Sequence, residues 1–170
     1  MRKHSYIATY LVLLVVQIII CNYLGLSYYV MLNILPLAII LLPIGCSTAA
    51  AMLIAFVSAL AVDLLCDGVP GLEALALVPV AFARTGIITL VFGSEVFARR
   101  ENISVSKHGT GKMALAITLA QALFLAVYIT ADGAATRPLW FNVLKWGLST
   151  LLGLAVSLAI AHIITADTRD

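Results

Sequence analysis

Long apolar runs separated by short polar stretches dominate the pattern along this chain. Their only charged or histidine side chains are Glu73, Arg84, Lys145 and His162. A helix needs about 20 mostly apolar residues to cross the hydrocarbon layer of a bilayer, so runs of this kind are typical of membrane spans. The pattern therefore predicts a polytopic membrane protein with runs at 7–20, 30–42, 48–62, 72–92, 113–131 and 139–166.

These runs are predicted to be helices, because a backbone in lipid must satisfy its amides and carbonyls within the segment. The period-two alternation of a closed barrel is missing from the sequence. We expect Pro36, Pro43 and Pro79 to kink or end helical turns. The fold class is thus all-α, one transmembrane domain over 1–170, with about six spans near 5–24, 28–44, 47–66, 71–93, 112–131 and 138–166.

Composition excludes an ordinary soluble domain. Hydrophobic residues make up 63% of the chain and charged residues 11%, whereas a soluble domain has about 45–50% and about 25%. The formal net charge of +2 reflects the placement of basic residues around spans and does not indicate nucleic acid binding. Cys21, Cys46 and Cys66 are widely spaced, which favours buried or lipid-facing thiols over a disulfide or a metal site.

The basic residues predict the orientation. Arg2 and Lys3 precede the first span, and Arg99, Arg100 and Lys107 lie in the one substantial loop, 94–111. By the positive-inside rule both regions belong in the cytoplasm. With an even number of spans, both termini are then cytoplasmic, and the loop is expected to be a flexible connector with basic residues near anionic headgroups.

Small residues are frequent in the third and sixth spans. Small side chains at spacings of three or four let helix backbones approach closely within lipid. We expect these two spans to be central, and they could pack within this chain or against a partner's helix. The residues are Ala49, Ala50, Ala51, Ala55, Ser58 and Ala59 in the third span, and Gly147, Ser149, Gly153, Ala155 and Ser157 in the sixth.

The densest polar cluster follows the third span. Asp63 and Asp67 share a face of a helix, and the turn at Pro70 and Gly71 comes directly after them. Embedded carboxylates are candidates for function, and the alternative is a plain helix end and turn. Paired aspartates suggest a metal, but the D-G-x-x-A-R motif of enzymes that transfer phosphoalcohols is not met: 132–137 has Thr136 at its alanine position. Other catalytic motifs are also missing, so we expect no catalytic residue, no metal, no cofactor and no enzyme activity.

Arg84 is the deepest charge. It lies about thirteen residues into the fourth span, which corresponds to roughly 20 Å below the outer face. Its side chain could extend inward to lipid phosphate, or make a buried contact to a carbonyl, an acid or a partner helix. Lys145 with Trp140 and Trp146 is interpreted as an interfacial anchor at the outer face.

Taken in order and spacing, a series of short stretches resembles the MreD family of bacterial rod shape-determining proteins. Ala59 departs from the family pattern, in which a glycine commonly precedes the hydrophobic stretch that leads to the aspartate. The matching stretches are Val16-Gln17, Asn22-Tyr23-Leu24-Gly25-Leu26, Leu41-Leu42-Pro43, the AFVSALAVDLLCD stretch at 55–67, Gly71, Ala74, and Ala81-Phe82-Ala83-Arg84.

The resemblance implies a six-helix protein of the bacterial cytoplasmic (inner) membrane. Its fold would be similar to the substrate-binding subunits of energy-coupling-factor vitamin transporters. It would be a non-enzymatic part of the cell-elongation complex, with MreC, MreB filaments, RodA and the transpeptidase partner of RodA. Asp63, Asp67, Gly71 and Arg84 would be the matched positions, with a partner-binding or structural role.

One alternative function and one assembly question stay open. The alternative is a subunit that binds a small vitamin-like molecule for a membrane transporter. Such a subunit presents polar side chains to a central cavity, and these spans offer few beyond Gln17, Asn33, Gln121 and Asn142. Whether the protein forms a homo-oligomer is also open.

Overall fold

The computed structural model describes residues 3–23, 30–66, 70–98, 103, 105–133 and 138–166, and side chains are described for most of these. The fold is all-helical. Its helices are α1 (Lys3–Tyr23), α2 (Leu35–Ile40), α3 (Thr48–Leu65), α4 (Leu72–Phe92), α5 (Glu95–Ala98), α6 (Val105–His108), α7 (Thr110–Gly133) and α8 (Leu139–Ala166).

Five of these helices, α1, α3, α4, α7 and α8, are long and apolar enough to cross a membrane. They correspond to the first, third, fourth, fifth and sixth predicted spans. The prediction of an all-helical, multi-pass membrane protein is therefore confirmed.

The second predicted span, 28–44, is different. Within its described part, 30–44, only α2 is helical, and residues 31–34 have no regular structure. The side chain of Asn33 accepts a 2.8 Å hydrogen bond from the amide of Leu35, and such local bonds compete with helix formation. Pro36 stands in the first turn of α2, and a turn that contains Pro43 follows it. The described residues thus form five helices long enough to span a membrane, and not the predicted six.

Helix α2 lies in the centre of the bundle. All six of its side chains are buried, and it contacts α1, α3, α4 and α7. Helix α8 also lies near α2, since Val156 and Ile160 pack against the cluster that contains Leu13 and Ala38. A fully apolar helix of this length is too short to span a bilayer, so it is held by its protein neighbours.

The bundle has two ends, which we name after their connections. At the turn end, α3 is joined to α4, and Asn22 of α1 contacts Cys66. At the loop end, the start of α1 and the 41–47 turn line one groove, and Ile44, Phe92 and Ala161 belong to one buried cluster. The chain therefore crosses from the loop end in α1 and returns through 30–42.

Part of the connection between α4 and α7 packs against the bundle. Its described residues include the short helices α5 and α6. Val96, Ile103 and Val105 are buried in the same cluster as Phe92, and the rings of Phe92 and His108 meet edge to face at 5.0 Å. Apolar side chains within a polar segment thus pack its described part against the bundle. Arg99 and Arg100 lie outside the described residues.

The small residues mark helix contacts but not the most enclosed helices. Ala51, Ala55 and Ala59 of α3 are buried against the chain's own helices, and Ser149 and Ser157 of α8 are buried as well. The most enclosed of the five long helices are nevertheless α4 and α7. A stripe of small residues lets one face of a helix approach a neighbour and leaves the opposite face in lipid.

Candidate functional site

Asp63 joins the end of α3 to the start of α4. The residue is only 1% exposed. Its Oδ2 accepts a hydrogen bond from the amide of Gly71 at 2.9 Å, and its Oδ1 accepts one from the amide of Glu73 at 3.0 Å. The first amides of a helix have no partner within the helix, and a negative charge there is also favoured by the helix dipole. Asp63 therefore caps α4 from the preceding helix.

Gly71 makes this cap possible. It is the N-cap residue of α4, with φ of 98° and no side-chain cap of its own. A Cβ atom at this position would meet nothing within 4 Å, so the requirement for glycine is conformational and not steric. Asp67 lies outside the described residues, within which no group of three or more His, Cys, Asp or Glu could hold a metal.

Arg84 is enclosed by the bundle. It is 2% exposed, and its Nη2 donates hydrogen bonds to the carbonyls of Leu42 and Pro43, the second at 3.3 Å. These carbonyls follow the end of α2, where the last carbonyls of a helix lack helical partners. The sequence left open whether Arg84 contacts lipid phosphate or makes a buried contact. In the structure it makes a buried contact with carbonyls.

Asp63 and Arg84 do not form one site. Asp63 binds the first turn of α4, whereas Arg84 lies about three turns further along that helix. Each binds backbone atoms at the end of a different helix. The candidate residues that the structure describes thus form two separate caps at two levels of the bundle.

A third set of polar residues surrounds the non-helical segment 31–34 and was not among the predicted site residues. Gln17 accepts a 2.8 Å hydrogen bond from the amide of Ile34 and donates one of 3.4 Å to the carbonyl of Leu32. Gln121 donates to the carbonyl of Asn33 at 2.9 Å and to the Ser157 hydroxyl at 3.4 Å. Two amides from α1 and α7 therefore replace the hydrogen bonds that a helix would supply.

Two further contacts complete this set. The side chain of Asn33 donates to Oε1 of Glu73 at 3.1 Å, and the amide of Met31 donates to the Ser149 hydroxyl at 2.9 Å. We call Gln17, Asn33, Glu73, Gln121 and Ser149 the polar belt. Non-helical backbone at membrane depth is tolerated where protein encloses it, and the polar belt provides that enclosure. In the sequence, the polar belt is indicated by single Gln and Asn side chains within apolar runs.

The turn end also carries contacts between α7 and α8. Lys145 lies 3.6 Å from Asp132, and the indole nitrogen of Trp146 donates to the carbonyl of Ala122 at 3.0 Å. Trp140 is exposed, as expected for an interfacial aromatic residue. Lys145 and Trp146 therefore fasten two helices together.

The polar side chains described above bind backbone and side-chain groups of the chain itself, and Cys21, Cys46 and Cys66 form no disulfide with one another. Their arrangement fixes the positions of α2, α4 and the segment 31–34. No family model, curated protein or solved structure matches the chain.

Proposed function

We propose that the chain is a non-enzymatic membrane scaffold of the bacterial cell-elongation complex, as its resemblance to the MreD family implies. It would act in the cytoplasmic membrane with both termini inside. The observation that carries the proposal is the use of the polar side chains within the spans. Asp63, Arg84 and the polar belt hold the chain's own backbone, which favours a fixed shape that partners can bind.

The two ends of the bundle offer different surfaces to partners. The loop end has the fastened segment of α5 and α6, with exposed Lys112 nearby and Arg99, Arg100 and Lys107 in its sequence. Basic residues there suit an acidic surface of a cytoplasmic filament such as MreB. The turn end would face MreC, RodA and the transpeptidase partner of RodA.

The geometry supports a scaffold over the alternative, a vitamin-binding transporter subunit. A small polar ligand needs convergent polar groups in a cavity. Gln17, Asn33, Gln121 and Asn142 were the residues considered for that purpose. The first three are hydrogen bonded to the chain's own segment 31–34 or to its neighbours.

Depletion in the host cell tests the proposed function. We expect rod-shaped cells to become round while new wall material, labelled with a fluorescent D-amino acid, loses its pattern along the cylinder. Expression of the wild-type chain from a plasmid is the control and should restore both. Unchanged shape and wall insertion after depletion would refute the scaffold function.

Co-purification separates the two functions. Recovery with a single-span coiled-coil protein and the wall polymerase supports the scaffold. Recovery with a pair of ATPases and a bound metabolite supports the transporter subunit. A Lys112→Glu variant should lose a filament partner but keep the partners of the turn end, since only the loop end changes.

A further inference from the structure

A deep groove opens between α1 and α3 at the loop end. Its volume is about 710 Å³, which is within the range of about 300–1,000 Å³ that holds a drug-sized molecule. The groove exists because α1 makes few contacts with α3, while the 41–47 turn forms its floor. Its lining includes Tyr6, Tyr10, Leu11, Pro43, Cys46 and Ile54.

The mouth of the groove faces hydrocarbon. Ile7 and Leu11 line it and are still 60% and 55% exposed. On α3, Leu53 and Val57 lie outside the lining near Ile54 and are exposed as well. In a helix that crosses a membrane, large exposed aliphatic side chains face the lipid chains. Whatever fills this groove therefore enters sideways from the bilayer.

One polar group in the groove lacks a partner. The hydroxyl of Tyr10 donates to Ser58 at 2.8 Å. By contrast, the hydroxyl of Tyr6 is buried and has no hydrogen-bond partner in the described part of the chain. Tyr6 lies close to the start of α1, at the level where a lipid changes from acyl chain to headgroup, and tyrosine is enriched at this level.

We infer that this groove binds one acyl chain of an anionic phospholipid, with the ester or phosphate region at the Tyr6 hydroxyl. An apolar cavity does not hold water, and hydrocarbon is the solvent at its mouth. The sequence places Arg2 and Lys3 within four residues of Tyr6, so the loop end has the positive charge that attracts anionic headgroups. This site does not depend on the proposed function.

A lipid fits the groove better than a helix does. A helix with its side chains is about 10–12 Å across, and close packing between helices in lipid uses small residues on the facing surface. The side chains that line the groove are instead the larger Ile7, Leu11 and Ile54. An acyl chain is narrower and adapts to such a wall.

Photo-crosslinking of the purified full-length chain in nanodiscs tests the site. The probes are phosphatidylglycerol and phosphatidylcholine with the same diazirine-bearing acyl chain, and the labelled residues are located by mass spectrometry. We expect phosphatidylglycerol to label 6–11 and 42–54 several-fold above the outward residues Leu151 and Ile163 of α8.

Groove-filling variants supply the matched comparison. Ile54→Trp should lower labelling of the groove about tenfold, the factor that corresponds to roughly 1.4 kcal/mol of binding free energy. Leu53→Trp, next to it but 65% exposed and outside the groove lining, should leave labelling unchanged. If Ile54→Trp does not fold, Leu11→Trp fills the groove from α1, with Val12→Trp as its control.

Three results would overturn the inference. Even labelling of all outward-facing helices would mean that the groove is not a lipid site. Equal labelling by the two headgroups would remove its preference for anionic lipid. Cross-links from groove residues to a second copy of the chain, without lipid adducts, would show that protein covers it.

Discussion

The side-chain nitrogen of Gln121 lies 2.9 Å from the carbonyl oxygen of Asn33, although 88 residues separate the two. The same nitrogen is 3.4 Å from the Ser157 hydroxyl. One amide near the middle of α7 therefore fixes both the non-helical segment before α2 and the face of α8. This relationship explains how a chain with an interrupted second span keeps a closed core.

Replacement of Gln121 by Leu should destabilise the protein by about 1–2 kcal/mol. The buried carbonyl of Asn33 would lose its partner, and an unsatisfied buried group costs about 1–3 kcal/mol, although single hydrogen bonds in membrane proteins average nearer about 0.6 kcal/mol. Reversible unfolding in mixed detergent measures the change. Thr118→Val is the control, since the Thr118 hydroxyl binds the Ala114 carbonyl of its own helix. Equal losses in both variants would contradict the role of Gln121.

Gly153→Ala should destabilise the protein through the same amide. A Cβ atom there would lie 2.3 Å from Nε2 of Gln121, so this amide must shift from the position in which it binds the Asn33 carbonyl. Gly147→Ala on the same helix meets nothing within 4 Å and should be neutral or slightly stabilising. Residues that share a partner give non-additive effects, so Gly153→Ala should cost little more in a Gln121→Leu background. Full additivity in that double-mutant cycle would refute the contact.

Replacement of Arg84 by Met should loosen the turn after α2. The carbonyls of Leu42 and Pro43 would lose a charged donor, and such hydrogen bonds contribute about 1.5–3 kcal/mol. Cys46 lies in this turn and reports on it. In a Cys21→Ser/Cys66→Ser background we expect faster maleimide labelling of Cys46 in the Arg84→Met variant. Thr85→Val, exposed on the next position of α4, should leave the labelling rate unchanged.

The predictions from the sequence succeeded where the pattern is local. Apolar runs of sufficient length located five long helices, and the position of Arg84 along the fourth run separated it from Asp63. The second run failed because its conformation depends on Gln17, Gln121 and Ser149, which are 15 to 118 residues away from their backbone partners. Periodicity carries no information about such distant partners.

The loop and the Asp63 cap show the same limit. Polar composition suggested a flexible connector, yet its Val96, Ile103 and Val105 are buried in one cluster with Phe92 and Met113. Spacing put Asp63 at a helix end. Asp63 accepts hydrogen bonds from backbone amides eight to eleven residues later because Gly71 adopts a left-handed conformation. A single glycine in a sequence does not specify that conformation.

Replacement of Asp63 by Ala should cost about 2 kcal/mol, the upper end of the range for loss of a helix cap. The amides of Gly71 and Glu73 would both lose their acceptor. Asp63→Asn keeps one acceptor oxygen and should lie between Asp63→Ala and the wild type. Leu64→Ala truncates the neighbouring exposed side chain and controls for loss of volume, with a small effect expected in the same unfolding assay. A cost for Leu64→Ala as large as that for Asp63→Ala would contradict the cap.

Gly71→Ala should destabilise the protein by about 1–2 kcal/mol, the cost of a left-handed conformation for an L-residue. Gly86→Ala, in the interior of the same helix, also meets nothing within 4 Å and has no positive φ, so higher helix propensity should make it neutral or stabilising. The two variants thus add the same methyl group, but only Gly71→Ala is expected to lower the free energy of unfolding. Because Gly71 and Asp63 act on one cap, their costs should also be less than additive when combined. Equal losses in both glycine variants, or full additivity with Asp63→Ala, would show that α4 does not begin as described.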